Sequence, residues 1–369
     1  MNQLSPIVAL LGRPDSPTDG LADYCQFLSS ALERRGVELK IVRVPVIERG
    51  WTRALLQLRR ISKQWRGQWV LLQYTALGWS RRGFPFGIVA TMIVLSLQRV
   101  HCGIVFHESF RQGDKSVTCI DHIRGRFQDG VIHTLHRLSA YSVFTIPLGS
   151  VTWLPKNDSK SVFIPLGANV PEVSLGTRPP HQLTGGLRTV AVFCLSDPPH
   201  RQIELSDISA ALRHSAAAGI KVRVVFLGRG TPEAAVDINR VFQGSAIEAL
   251  NFGLQDAEEV SRILASSDAM LCVRGILNLR RASALAGIAC GVPLVGYAGA
   301  TEGTPLAEAG VELVHPGDRQ ALGAALTRIL ADDHHWNELH KKSLEAQRKY
   351  FSWDSVAREF VRTLSVRTE

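Results

Sequence analysis

Short runs of consecutive apolar residues alternate along the chain with stretches in which apolar residues recur every three or four positions. The first run covers residues 6–11 and gives way to Gly12-Arg-Pro-Asp-Ser-Pro-Thr-Asp-Gly20. Leu21, Tyr24, Cys25, Leu28, Ala31 and Leu32 then mark the buried stripe of a helix, with Thr18 or Asp19 as its cap and Gly36 as its stop. Residues 37–44 read as a second strand. Strand, glycine-containing loop, helix and strand in that order open a doubly wound α/β domain. Apolar runs at 69–74 and 103–107, and later ones at 141–146 and 161–165, predict further parallel strands covered on both faces.

Residues 171–186 break this rhythm: they lack periodicity and are rich in Pro and Gly, as an interdomain linker is. A second α/β series follows, with strands predicted at 189–194, 222–227, 269–273 and 293–297 and helices at 205–218, 257–265 and 282–290. The expected organisation is a Rossmann-like domain over residues 1–172, a linker over 173–187, a second Rossmann-like domain over 188–348 and a closing segment over 349–369. No internal repeat or low-complexity segment interrupts it.

Composition agrees with two folded domains. In 369 residues, 45% are apolar and 20% charged, which excludes disorder, collagen and coiled coil. The six cysteines, at 25, 102, 119, 194, 272 and 290, form no C-x-x-C pair and no Cys/His cluster at zinc spacing. A disulfide framework and a structural zinc are therefore not expected, and a reducing compartment is. The start of the chain has neither the basic stretch nor the apolar core of a secretory signal. The longest apolar stretch, residues 86–97, is short of the roughly 20 residues that span a bilayer. The expected location is the cytoplasm, with peripheral attachment at the inner face of a membrane as an option.

Charge is uneven. The formal net charge is +9, and all of it falls within residues 1–174. Residues 49–107 hold nine basic side chains and no Asp or Glu, together with Trp51, Trp65, Trp69 and Trp79. Between Arg49 and Arg66 the apolar positions 51, 55, 58 and 65 keep helical spacing, with Arg49, Arg53, Arg59, Arg60, Lys63 and Arg66 interleaved. One reading docks the apolar face of this helix on its own sheet. The other lays it on an anionic membrane or acceptor surface, with Trp51 and Trp65 at the interface and about 1 kcal/mol from each basic group near the lipid. The missing acids and the tryptophans favour the second. Nucleic acid is a poorer partner, because no recognised nucleic-acid module accompanies the charge.

Residues 250–271, Leu250-Asn-Phe-Gly-Leu-Gln-Asp-Ala-Glu-Glu-Val-Ser-Arg-Ile-Leu-Ala-Ser-Ser-Asp-Ala-Met-Leu271, followed by Leu285-Ala-Gly-Ile-Ala-Cys-Gly-Val-Pro-Leu-Val295, resemble the C-terminal half of a GT-B-fold family 4 glycosyltransferase. Ile164-Pro-Leu-Gly-Ala-Asn-Val-Pro171, Gly20 with its helix, and Phe351-Ser-Trp-Asp-Ser-Val-Ala resemble three further segments of that family, in the family's order. The resemblance implies two Rossmann-like domains facing a cleft, with the last helix crossing back to the first domain. It also implies transfer of a sugar, with retention, from a UDP- or GDP-sugar bound by the C-terminal domain. The acceptor, held by the N-terminal domain, would be a lipid-linked or cell-surface glycan, as in polysaccharide biosynthesis. No metal or other cofactor is expected; the nucleotide sugar is a substrate.

Most members of the family carry two glutamates eight positions apart where this chain has Asn278 and Ala286. Asn278-Leu-Arg-Arg-Ala-Ser283 instead resembles a divergent branch with an Arg-Arg-x-Ser pattern before the small-residue helix. Arg280 and Arg281 are expected at that helix N-terminus holding the diphosphate, with Ser283 capping or donating to it. The plainer alternative is two solvated arginines beside an ordinary Ser cap. His107 ends an apolar run where ligands meet parallel sheets, and the resemblance places a His there near the donor sugar. Glu108 is a candidate for acceptor contacts or for orienting His107, or else an arginine's partner. Gly20, Gly228, Asn278 and either His200 or Arg201 complete the candidate donor-binding set, with a plain turn glycine as the alternative at Gly20 and surface turn residues as the favoured reading at 200–201. Loss of both glutamates keeps open a catalytically silent protein of this fold that binds nucleotide or glycan, or that partners an active transferase.

Overall fold

The computed structural model describes residues 5–12, 20–108, 119–171, 186–299 and 304–366. The chain divides into two compact units, Met1–Leu166 with Trp353–Glu369, and Gly167–Ser352. The linker expected over 173–187 lies outside the described residues through position 185, as do the cap candidates Thr18 and Asp19.

In the first unit the elements run β1 (Ile7–Leu11), α1 (Gly20–Glu33), β2 (Leu39–Arg43), α2 (Val46–Arg49), α3 (Trp51–Ile61), β3 (Trp69–Tyr74), α4 (Ala76–Trp79), α5 (Phe86–Leu97), β4 (His101–Phe106), α6 (Cys119–Leu138), β5 (Tyr141–Phe144) and β6 (Ser161–Phe163). In the second they run β7 (Arg188–Phe193), α7 (His200–Ala217), β8 (Val222–Leu227), α8 (Ala235–Phe242), β9 (Glu248–Gly253), α9 (Ala257–Ala265), β10 (Ala269–Ile276), α10 (Ala282–Ala289), β11 (Leu294–Tyr297), β12 (Val311–Val314), α11 (Arg319–Ala331) and α12 (Asp333–Ala346). Helix α13 (Trp353–Ser365) belongs to the first unit.

Each unit holds one six-stranded parallel sheet, in the order β2-β1-β3-β4-β5-β6 in the first and β12-β11-β10-β7-β8-β9 in the second. Both are doubly wound. The chain reverses its direction of travel across the sheet at β1/β3 in one unit and at β7/β10 in the other, and ligands enter such sheets at the strand carboxyl ends beside these points. The apolar runs form the central strands because both of their faces are covered. Val70, Leu72, Ile104 and Phe106 face a layer made by α3, α5 and α6, while Leu71, Val105 and Val143 face α1 and α13.

Helix α13 is held against α1 by Val356, Phe360 and Leu364, all buried, and by Trp353, whose ring stacks on Phe27 at 5.5 Å. Burying side chains of this size stabilises by about 1.5–3 kcal/mol each. Arg35 adds an ion pair to Asp354 at 2.8 Å. No helix among the described residues is long and apolar enough to cross a membrane.

Candidate functional site

At the switch point of the second sheet, the ends of β7 and β10 part around a small concavity lined by Phe193, Cys194, Cys272, Arg274, Gly275, Leu277, Arg281 and Ser283 among others. A bulge shapes it. Cys272 of β10 pairs with Gly296 of β11, but the next pair is Ile276 with Tyr297, four steps on one strand against one on the other. The surplus residues Val273, Arg274 and Gly275 therefore turn out of the ladder beside the concavity. Gly275 has φ +65°, and a Cβ there would lie 3.4 Å from the Arg281 guanidinium, so glycine serves both the turn and the arginine's approach.

Arg281 stands at the cap position of α10 and makes no side-chain cap. Burial, and after it the neighbouring Arg274, hold its pKa below the usual arginine value. Its guanidinium has no hydrogen bond or ion pair with a described residue; two cations share a partly desolvated wall, and Glu204 nearby offsets only part of that cost. Such an arrangement is relieved by an anion. The N–H groups of Ala282 and Ser283 precede the first helical bond, which Ala284 donates to the Arg281 carbonyl at 2.9 Å. Ser283 lines the concavity as well.

Arg280 does not join them. Asn278 accepts the Arg280 backbone N–H at 3.0 Å, forming a local turn that leaves the Arg280 side chain exposed. Of the expected arginine pair, one member faces the concavity and the other faces solvent. Gly228, at the end of β8, has φ +88°, and a Cβ would meet the Phe193 ring at 2.6 Å and Cys194 Sγ at 2.9 Å. Its glycine thus keeps the floor below Cys194 in place, and Cys194 itself bears a positive φ of 70°. Strain of this kind gathers at functional sites.

Arg201 departs from its expected role. It lies in the first turn of α7, 5% exposed, where Nε donates to the Ser196 carbonyl at 3.2 Å and Nη1 to the Glu233 carbonyl at 2.9 Å. Asp237 approaches at 3.5 Å. These bonds tie the loop after β7 to the start of α8, so its guanidinium is already committed to protein oxygens.

In the first unit His107 follows β4 directly. Its Nε2 lies 2.8 Å from Gln73 Oε1, and its ring meets Tyr24 edge-on at 4.7 Å. Burial pushes its pKa down to about 4, so it is neutral at physiological pH. Because the amide oxygen only accepts, Nε2 carries the proton and Nδ1 keeps a lone pair. Glu108 Oε2 accepts the Ala76 N–H at 3.0 Å, next to Thr75, whose hydroxyl accepts from Gly78. Glu108 thereby fastens the end of β4 to the start of α4. Gly20 opens α1, and an added Cβ there would meet nothing within 4 Å among the described residues. Crowding falls instead on Gly12, where a Cβ would lie 2.5 Å from the Trp79 ring.

The basic stretch also needs correcting. Trp65, Trp69 and Trp79 are buried, and Trp51 packs into the core layer, stacked near Trp79 and so close to Gly87 that a Cβ there would come within 2.1 Å. The apolar face of α3 is docked on its own sheet, and the tryptophans form no lipid interface. Arg49, Arg53, Arg59, Arg60, Lys63 and Arg66 do face solvent.

Sequence reasoning missed Arg274 and Gln73. Arg274 sits just past the strand predicted to end at 273, and Gln73 is the one polar residue in an apolar run. A charged residue at a strand's carboxyl end beside the switch point and a buried amide inside a strand are the signals that could have found them.

No protein-family model matches the chain, and no curated protein matches it in sequence. In fold it is similar to Alr3699/HepE from Anabaena, solved in complex with UDP and glucose, at 11% identity, with 98% of this chain and 100% of that chain covered and a TM-score of 0.64. It is similar to sucrose-phosphate synthase from Thermosynechococcus elongatus at 16% identity, 98% coverage of each chain and a TM-score of 0.65. It is also similar to a putative UDP-N-acetylglucosamine 2-epimerase from Listeria monocytogenes at 11% identity, covering 98% and 96% of the two chains, with a TM-score of 0.61. These likenesses show the GT-B fold with its two Rossmann-like domains. At such identities they carry the fold and leave the reaction to the site.

Proposed function

We propose that the protein transfers a sugar from a nucleoside diphosphate sugar, a UDP- or GDP-sugar, to a glycan acceptor. The observation that carries this is the pairing of Arg274 and Arg281 with the N-terminus of α10 at the β7/β10 switch point. In transfer, the bond from the anomeric carbon to the diphosphate oxygen breaks, the bond to the acceptor oxygen forms and the acceptor's proton passes to the departing diphosphate. Negative charge grows on the departing diphosphate, where fixed cations and amide dipoles lower the barrier. Arg274, Arg281 and the N–H groups of Ala282 and Ser283 supply them. Ser283 donates to a phosphate oxygen, and Gly228 keeps the loop beneath the nucleotide low. His107, neutral, offers Nδ1 as an acceptor to a hydroxyl of the glycan acceptor held by the first unit.

Retention, a lipid-linked or cell-surface acceptor and a role in polysaccharide biosynthesis are carried over from the sequence resemblance. The solved complex of HepE with UDP and glucose supports a UDP-sugar as the first donor to try. No metal enters this reading, because the arginines provide the positive charge; turnover is expected to persist in EDTA. The test is donor-dependent release of UDP or GDP in the presence of membrane lipid extract. Release that the Arg274→Ala plus Arg281→Ala variant leaves intact would refute the site.

A second reading has its own observation. Asn278 spends its oxygen on a turn and Ala286 lies buried inside α10, so neither position of the missing glutamates offers a carboxylate. A silent nucleotide-binding protein of this fold would bind UDP or GDP tightly and release nothing.

A further inference from the structure

Helix α5 carries no charge in its twelve residues, Phe86 to Leu97, and only Thr91 and Ser96 interrupt its apolar surface. A helix of that kind is ordinarily covered on every side or placed against lipid. Here Ile88, Met92 and Leu95 are buried against the sheet, while Phe86, Ile93 and Leu97 are 56%, 47% and 77% exposed on the opposite side. Helices α3 and α6 pack on either side of α5 and bury their apolar residues in the same core layer, so all three turn their outer faces the same way. Leu56 of α3 and Ile120 and Ile123 of α6 extend the exposed apolar surface.

Cations surround this stripe. Arg53 and Arg60 share the exposed side of α3 with Leu56, Arg81 and Arg82 precede α5, and Arg99 follows it, all exposed. The acids of the flanking elements are Glu48 on α2 and Asp121 and Asp129 on α6, and Asp121 pairs with Arg124.

We infer that this face of the first unit docks on an anionic lipid bilayer, with Phe86, Ile93 and Leu97 entering the acyl boundary and Arg53, Arg60, Arg81, Arg82 and Arg99 meeting the head groups. An apolar stripe with a cationic margin is the pattern of an interfacial helix, and the twelve residues of α5 lie flat over about 18 Å of surface. A second copy of the chain fits poorly, since it would set these arginines against their own equivalents. The inference stands independently of the transferase reading. It also assigns insertion to α5, while α3 contributes charge.

The test is co-sedimentation of the full chain with vesicles of phosphatidylcholine alone and with added phosphatidylglycerol, at low and high salt. Binding is expected to the anionic vesicles and to fall with salt. Removing Arg53 and Arg60 as alanines should weaken it about fivefold per charge. Ile93→Ser and Leu97→Ser, at exposed positions that leave thermal unfolding unchanged, should each weaken it about tenfold. Trp51→Phe should leave it unaltered. Equal binding to both vesicle types, binding to neither, or wild-type binding by the Ile93→Ser/Leu97→Ser protein would overturn the inference. So would a wild-type dimer in sedimentation velocity that those two substitutions dissolve.

Discussion

His107 Nε2 and Gln73 Oε1 lie 2.8 Å apart across the neighbouring strands β4 and β3, and this bond fixes which imidazole nitrogen holds the proton. Gln73 is fully buried and has its other amide atom, Nε2, without a partner among the described residues. The pair is therefore a polar element inserted deliberately into an apolar sheet end.

Acid should weaken the fold through this histidine. Its native pKa is about 4 against 6.5 unfolded, so between those values the unfolded chain binds more protons. The stability it contributes is whole above about pH 6.5 and is lost as pH falls toward 4, by at most about 3 kcal/mol. His107→Asn should flatten the stability curve over that window. Urea melts at a series of pH values read this directly, and the wild-type comparison removes the similar contribution of His136, whose pKa burial also lowers.

The three arginines Arg201, Arg280 and Arg281 should separate by readout. Arg281→Ala should weaken UDP or GDP binding roughly 10–100-fold, the worth of a charge-assisted bond of about 1.5–3 kcal/mol, with little change in melting. Arg280→Ala should do neither. Arg201→Ala should lower stability by about 1–3 kcal/mol, because the buried Arg201 side chain ties the carbonyls of Ser196 and Glu233 together. Calorimetric titration and thermal melts of the three variants check the division.

Glycine substitutions should differ in sign. Gly228→Ala meets both a positive φ and the Phe193 ring, and should cost about 1–3 kcal/mol. Gly20→Ala, in a helical turn where a new Cβ meets none of the described residues, should raise stability by up to about 1 kcal/mol. If Gly20→Ala nevertheless loses nucleotide-dependent activity, close approach of a ligand to that backbone is the remaining explanation.

Gly87→Ala should destabilise by about 1–3 kcal/mol, since the new methyl would occupy the Trp51 ring. Trp51→Leu in the same chain should recover part of the loss. A double-mutant cycle in urea shows the coupling, and its absence would place Trp51 away from α5.

The positions of several candidate residues in the fold could be read from the sequence. Arg281 and Ser283 were legible because a basic pair just ahead of a small-residue helix has few local uses, and His107 because it closes an apolar run. Asn278 could be seen to lack the carboxylate but not to form a turn. Arg201 was misread, since its helix begins at His200 and nothing local reveals that the carbonyl of Glu233, far along the chain, completes its bonds. Trp51 and Trp65 were misread for a related reason: helical spacing gives the face of a helix but not what covers it.

The sequence by itself determined the two α/β series, the parallel strands at their centres and the confinement of the net charge to the first half. These follow from local periodicity and from counting, which need no partner. Only the tertiary structure decided that Trp51 and Trp65 pack inward while α5 leaves an apolar edge exposed. It also decided that one arginine of two faces the concavity, beside an Arg274 that a bulge swings into place. Each of these depends on contacts between segments distant in the chain, where packing space and available hydrogen-bond partners override what any single segment prefers.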